Sequence, residues 1–132
     1  MSFKIDEHNI KELVEKGIRG VVRQGCRSFC PEYGSCMYRH ADNPEIRCVV
    51  GHMIPDEVYV PSMEGDGVFN LDLEMGIDLR ELLDGLQFHH DRTLTDVNYV
   101  GDFLDGIGAD NRLPQWVKDI ATKVKQEVNN EF

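Results

Sequence analysis

Hydrophobic residues recur at helical spacing over residues 6–25, where charged side chains take the opposite face. This pattern predicts an amphipathic helix that ends at Gly25. Gly17 and Gly20 lie inside the predicted helix, although a glycine there costs ~1 kcal/mol relative to alanine. We therefore expect another element to pack closely against the helix at these two positions. Its apolar face consists of Ile10, Leu13, Val14, Ile18, Val21 and Val22.

The second half of the chain predicts three more helices. Asp78 can cap the first of them, which carries a stripe of leucines. Thr95 can cap the second, and Gly106 and Gly108 are placed to end it. Pro114 stands at a first helical position of the third, where its missing N–H group is tolerated.

Two short stretches after the first helix predict β-strands: residues 36–39 read CMYR and residues 45–50 read EIRCVV. The intervening HADNP contains turn-forming residues, so the two stretches predict a β-hairpin near residues 36–50. We therefore expect an α+β fold that is mainly helical, with about four helices and one short hairpin. The length of 132 residues predicts a single globular domain over residues 1–132.

The formal net charge of −10 is concentrated in one part of the chain. Residues 56–110 hold fourteen aspartates and glutamates against two arginines, whereas the flanking segments are nearly neutral. Such a field repels nucleic acids and membrane surfaces and attracts basic partners. No apolar run approaches the ~20 residues that span a bilayer, and the first residues lack the apolar block of a signal peptide. The sequence therefore predicts a cytoplasmic protein with no membrane partner and no direct nucleic-acid contact.

Five acidic residues form a candidate partner-binding surface, because their spacing places them on the outer faces of two adjacent predicted helices. Two interpretations remain open. Surface charges commonly form a solvated face that keeps a small protein soluble. The same carboxylates could instead compete with nucleic-acid phosphates for a basic groove on another protein. The five residues are Asp78, Glu81, Asp84, Asp102 and Asp105.

A metal site is an alternative for the cysteine-rich part of the chain. A structural zinc ion needs four cysteine or histidine ligands in a tetrahedron. If residues 36–40 form a strand, however, positions four apart lie ~13 Å apart and cannot share one ion. Reduced, buried thiols are the other interpretation, so we expect no cofactor and keep zinc as an alternative. The six candidate ligands are Cys26, Cys30, Cys36, His40, Cys48 and His52.

Enzymatic chemistry finds little support in the sequence. A cysteine nucleophile needs a nearby base and an orienting group, and His40 or His52 could serve as the base. No GxSxG, P-loop, GxGxxG or HExxH motif occurs, which removes the common hydrolase and nucleotide-binding signatures. The sequence therefore favours a protein that is not an enzyme.

A longer pattern resembles small proteins encoded by bacteriophages and some bacteria. Those proteins carry a C-x-Y-R segment, a C-[AV]-V-G-x-[LM]-I-P-D-E-x-Y segment and a helix with LQ-x-x-HD, and this chain adds M-E-G at residues 63–65. The resemblance covers roughly residues 8–91. The matching positions are Cys36, Tyr38, Arg39, Cys48, Gly51, Ile54, Pro55, Asp56, Glu57, Tyr59, Leu86, Gln87, His90 and Asp91.

The resemblance implies a phage accessory protein without an assigned activity. It implies that Cys36 and Cys48 form a packed pair on facing arms of the hairpin, and that Arg39 pairs with Asp91 or Asp56. The leading hypothesis is an acidic protein that binds and inhibits or redirects a host protein, such as a nucleic-acid enzyme or a defence complex, in the cytoplasm of an infected bacterium. Self-association is left open.

Two other hypotheses are kept beside it. The first is a small enzyme or small-molecule binder with a pocket formed by Tyr38, Arg39, His90 and Asp91, together with Cys36 or Cys48. The second is a zinc-stabilised adaptor.

Overall fold

The computed structural model describes residues 3–30, 35–93 and 98–130, and these residues fold mainly as α-helix. The helices are α1 (Ile10–Gln24), α2 (Val49–Met53), α3 (Ile77–Arg92), α4 (Tyr99–Ala109) and α5 (Gln115–Asn130). Two strands of two residues each, β1 (Phe29–Cys30) and β2 (Ser35–Cys36), pair antiparallel. Short 3₁₀ turns at Pro61–Met63 and Val68–Asn70 precede α3.

The five helices contact one another in a closed cycle. The most extensive contacts join α1 to α2 and α4 to α5, and further contacts join α2 to α3, α3 to α4 and α1 to α5. Buried apolar residues from every helix form one cluster inside this cycle. Representative members are Val14 and Ile18, Val49 and Met53, Leu83 and Leu86, Phe103 and Ile107, and Val117 and Val124.

The hairpin predicted near residues 36–50 is not formed as a pair of strands. Its arms meet in one isolated antiparallel bridge between Arg39 and Arg47, beside a hydrogen bond from the His40 N–H to the Ile46 carbonyl at 2.9 Å. The chain then turns into α2, because the Cys48 Sγ caps the helix by accepting from the Gly51 N–H at 3.4 Å. The prediction of a strand over residues 45–50 is therefore wrong at its carboxyl end, and the described residues contain five helices where about four were predicted.

The predicted helix ends are partly right. Gly25 ends α1 with a φ of +74°, as predicted. Asp78 does not cap α3, which begins one residue earlier at Ile77 and has no side-chain cap. Gly106 and Gly108 do not end α4, because the helix continues through both to Ala109. The predicted cap at Thr95 lies outside the described residues.

The expectation of close packing at the α1 glycines is confirmed. A Cβ atom on Gly17 would lie 2.8 Å from both the Cγ1 atom and the carbonyl oxygen of Val49. A Cβ atom on Gly20 would lie 2.4 Å from the Cγ atom of His52. These glycines therefore let α1 approach α2 closely enough to bury the short helix.

Candidate functional site

The carboxylate of Glu64 links separate parts of residues 36–64, which contain the C-x-Y-R and C-V-V-G motifs and which we call the motif segment. Its Oε1 accepts a hydrogen bond from the Tyr38 N–H at 2.9 Å, and its Oε2 accepts one from the Arg39 N–H at 3.0 Å. The Tyr59 hydroxyl donates to the same Oε2 at 2.6 Å. Sequence reasoning did not name Glu64 as a site residue, although the M-E-G tripeptide contains it.

Arg39 connects the beginning of the motif segment to residues 54–59. Its side chain is only 10% exposed, and its Nη2 donates to the Ile54 carbonyl at 3.1 Å and pairs with Asp56 at 2.8 Å. The guanidinium carbon lies 4.3 Å from the centre of the Tyr59 ring, in a cation–π arrangement. Of the two partners expected for Arg39, Asp56 is therefore the one found, and Asp91 lies in a different cluster.

The first residues of α2 contact both Tyr38 and helix α3. The Val50 N–H donates to the Gln87 Oε1 at 3.1 Å. A Cβ atom on Gly51 would lie 1.9 Å from the Tyr38 carbonyl oxygen, so only glycine fits there. The C-V-V-G piece thus contacts both the C-x-Y-R piece and the L-Q piece.

His90 is fully buried and lies in a polar cluster with Cys36 and Asp91. One potential ligand atom from each of the three residues lies within 4.8 Å of the others. The Ser28 N–H donates to the His90 Nε2 at 2.9 Å. Because Nε2 accepts, the ring proton sits on Nδ1, which donates to the Asp91 Oδ1 at 2.7 Å. Both ring nitrogens are therefore engaged.

The cluster does not have the chemistry of a cysteine enzyme. Burial and the adjacent Asp91 raise the pKa of the Cys36 thiol to about 12. Burial also raises the pKa of the Cys48 thiol to about 12. A catalytic cysteine needs a thiolate and a base with an available nitrogen. Both thiols stay protonated at neutral pH, and His90 has no ring nitrogen left to act as the base.

The two motif cysteines make separate contacts. Cys36 lies beside Asp91 and Arg27, whereas Cys48 belongs to the buried core and caps α2. Both are free thiols. The packed pair that the resemblance implied therefore gives way to two separate structural roles.

The six candidate zinc ligands do not come together. In the described ranges, the one group with metal-like spacing contains Cys36 but none of the other five. His40 contacts the Phe29 carbonyl through Nε2 at 3.0 Å, and His52 contacts the Gln24 Oε1 at 2.8 Å. The two histidines of the zinc alternative are thus held by different parts of the chain.

The predicted small-molecule pocket is divided in two. Cys36, Tyr38 and Asp91 line a cavity of about 210 Å³. Arg39 lines a second cavity, of about 660 Å³, with Tyr59 among its walls. His90 lines neither cavity. The four predicted pocket residues thus do not share one site.

His52 makes stability depend on pH. Burial, with a smaller contribution from Arg47, lowers the pKa of His52 from 6.5 to about 4. As the pH falls, His52 is therefore protonated near pH 6.5 in the unfolded chain but only near pH 4 in the folded chain. The contribution of the neutral His52 ring to stability is thus fully present above pH 6.5 and is lost as the pH falls towards 4. We expect urea unfolding of a His52→Gln variant to lose part of the acid sensitivity seen in the wild type. The exposed His8→Gln serves as the matched control, and an unchanged pH profile in His52→Gln would contradict the assignment.

The five predicted acidic residues are all exposed, but their carboxylates differ in the contacts they make with other side chains. Asp105 is paired with Lys125 of α5, and Asp102 accepts a hydrogen bond from Asn98 at 3.4 Å. The carboxylates of Asp78, Glu81 and Asp84, which we call the α3 acidic row, have no ion pair or hydrogen bond with another described side chain. Of the five residues, only Asp105 is ion-paired, and the three on α3 have neither kind of partner among the described side chains.

The α3 acidic row forms one rim of a groove of about 580 Å³, which we call the acidic groove. Its walls come from α1, α3, the segment before α5 and the start of α5. Its apolar lining consists of Ile10, Leu79, Leu82, Leu113, Pro114 and Trp116. Asp102 and Asp105 are not among its lining residues.

Within the part of the chain that the structure describes, no helix combines the length and the apolar character that crossing a membrane requires. Comparison with known protein families, with curated proteins and with solved structures found no match for this chain.

Proposed function

We propose that this protein is a non-enzymatic, phage-encoded accessory protein that binds a host protein through the α3 acidic row and occludes a basic surface. The observation that carries the proposal is the set of three exposed carboxylates on successive turns of α3, none of which is neutralised by another described side chain. A basic surface that normally binds nucleic acid is the natural target, because carboxylates can replace phosphates as its partners.

The arrangement supports recognition by charge. Exposed carboxylates in an acidic part of the chain steer a basic partner during approach and discourage acidic ones. Salt screens such interactions, with a Debye length of ~8 Å at physiological ionic strength. Binding of the partner should therefore weaken as salt rises.

The test is capture of the host partner by the tagged protein from bacterial lysate at low and high salt. We expect the triple variant Asp78→Asn, Glu81→Gln, Asp84→Asn to lose about tenfold or more in affinity for that partner, and to lose most of the salt dependence. The matched control is the triple variant Asp42→Asn, Glu45→Gln, Glu57→Gln, which changes the net charge equally at exposed sites outside the acidic groove. Equal weakening by both triple variants would reduce the effect to overall charge and contradict the assigned surface.

A small-molecule binder is the second candidate, and the 660 Å³ cavity beside Arg39 favours it. That volume lies within the ~300–1,000 Å³ of typical ligand pockets. The Arg39 Nε is buried with no hydrogen-bond partner in the described part of the chain. A ligand that raises the unfolding temperature of the wild type but not of an Arg39→Met variant would favour this role.

A zinc-stabilised adaptor is the third candidate, supported by the spacing of Cys36, His90 and Asp91. The hydrogen bonds of His90 oppose it. A metal ion on Nδ1 would move the ring proton to Nε2, where it would face the N–H of Ser28. About one zinc per chain in protein purified without chelator would favour the adaptor despite this conflict.

A further inference from the structure

The acidic groove has an apolar floor beneath its charged rim. Leu79, Leu82 and Trp116 are half-buried along it, so each still presents apolar surface to solvent. The Lys11 Nζ lies 5.8 Å from the centre of the Trp116 ring. Covering such a floor with an apolar side chain of a partner removes apolar surface from water, which favours binding.

The rim of the groove is mostly negative. Asp110 is already neutralised, since Arg112 and His89 both contact its carboxylate at 3.0 and 2.8 Å. Hydrogen bonds from Arg112 and His89 hold the pKa of Asp110 well below its usual range despite burial. Glu7 and the α3 acidic row remain, opposed mainly by Lys11. The groove thus combines apolar surface with an excess of negative charge.

The outer stripe of α3 extends this combination beyond the groove. Ile77, Glu81, Asp84 and Phe88 follow one another at spacings of four, three and four residues, so they share one face of the helix. Ile77 is 61% exposed and Phe88 is 43% exposed. The stripe therefore has apolar ends and an acidic centre.

The spacing of the carboxylates favours a helical partner over an extended one. Residues three apart on α3 rise by ~4.5 Å along the helix axis. A helix presents cationic side chains three or four residues apart at ~4.5–6 Å, whereas residues on one face of a strand repeat at ~6.6 Å or more. Amphipathic helices are also the usual occupants of apolar grooves.

We infer that the acidic groove binds an amphipathic helix of the partner protein, with an apolar face that covers Leu82 and Trp116 and with flanking lysines or arginines that pair with the α3 acidic row. This inference rests on the proposed function and specifies the element of the partner that is recognised. Charge complementarity supplies the orientation, and the apolar floor supplies burial.

Trp116 gives a direct readout, because it is the single tryptophan of the chain and lines the groove. The probe is a synthetic helical peptide of leucines and lysines, with leucines on one face and lysines beside them. A peptide of the same composition in scrambled order has the same charge without the apolar face. Titration follows the emission of Trp116 and yields the dissociation constant for each peptide.

We expect the amphipathic peptide to shift the Trp116 emission and to bind about tenfold or more tightly than the scrambled peptide. Leu82→Gln should weaken the amphipathic peptide about tenfold, whereas Val60→Gln, at an exposed valine outside the groove, should not. Far-UV circular dichroism of each variant confirms that its helices are intact.

The outcomes separate the two proposals. Equal binding of both peptides, lost in the triple variant of the α3 acidic row, overturns the helix-binding groove and leaves the acidic surface standing. Binding of the captured host protein that is independent of the acidic row overturns both. Sedimentation that reveals a dimer of the wild type, dissociated by Leu82→Gln, would assign the groove to a second copy of the chain and overturn the inferred occupant.

Discussion

Gly51→Ala should destabilise the protein by about 3 kcal/mol or more, a large effect for the addition of one methyl group. The new Cβ atom would lie 1.9 Å from the Tyr38 carbonyl oxygen, well inside van der Waals contact. Neither atom can rotate away, since both are fixed to the backbone. Relief would require α2 to separate from the segment that contains Tyr38. Urea unfolding at neutral pH measures the loss.

Gly67→Ala is the matched control for this experiment. Gly67 has a φ of −71°, and its added Cβ atom would have no neighbour within 4 Å. Its free energy of unfolding should therefore change little or rise slightly, because alanine restricts the unfolded chain more than glycine does. A Gly51→Ala protein as stable as the Gly67→Ala protein would mean that α2 and Tyr38 do not approach as described.

His90→Leu should destabilise the protein by about 2–3 kcal/mol, because it leaves the buried N–H of Ser28 without an acceptor. The apolar volume of the side chain is roughly kept, so the loss comes mainly from the missing hydrogen bond. Asp91 contributes less, since it is 44% exposed and can be hydrated when the ring is removed. The change in the free energy of unfolding by urea tests this expectation.

His90→Gln separates the hydrogen bond from other roles of the ring. The amide oxygen of glutamine can accept from the Ser28 N–H, so this variant should retain about half of the stability that leucine loses. A zinc ion held by Cys36, His90 and Asp91 would give a different result. Both variants would then lose the metal, and chelator would destabilise the wild type. Equal losses in the two variants, together with sensitivity to chelator, would sink the hydrogen-bond assignment.

Long periodic segments predicted the larger helices well. The apolar face of α1 and its end at Gly25 followed directly from residue spacing. The five-residue α2 could not be distinguished from a strand, because two consecutive valines satisfy either geometry. Its cap is the thiol of Cys48, which is outside the usual set of capping residues, so the start of the helix carried no recognisable signal.

The sequence predicted where the acidic residues lie on their helices, but not which of them are paired with another side chain in the fold. Spacing alone placed Asp78, Glu81 and Asp84 on the outside of a helix, and all three are exposed. The pairing of Asp105 with Lys125 depends on how α4 packs against α5, which no local pattern encodes. The role of Glu64 likewise depends on segments that meet only in the fold, because it accepts from residues 25 and 26 positions earlier in the chain.

The contact between α1 and α5 has a consequence for synthesis on the ribosome. Arg19 of α1 is held by Glu127 of α5 through two hydrogen bonds, at 2.5 and 3.2 Å, across 108 positions of sequence. A nascent chain can dock α2 onto α1 early, but it cannot cover the α5-facing side of α1 until α5 has left the exit tunnel. Closing so long a loop also costs chain entropy and slows folding. During translation, this side of α1 is therefore available to chaperones and proteases, and it becomes protected only when α5 docks.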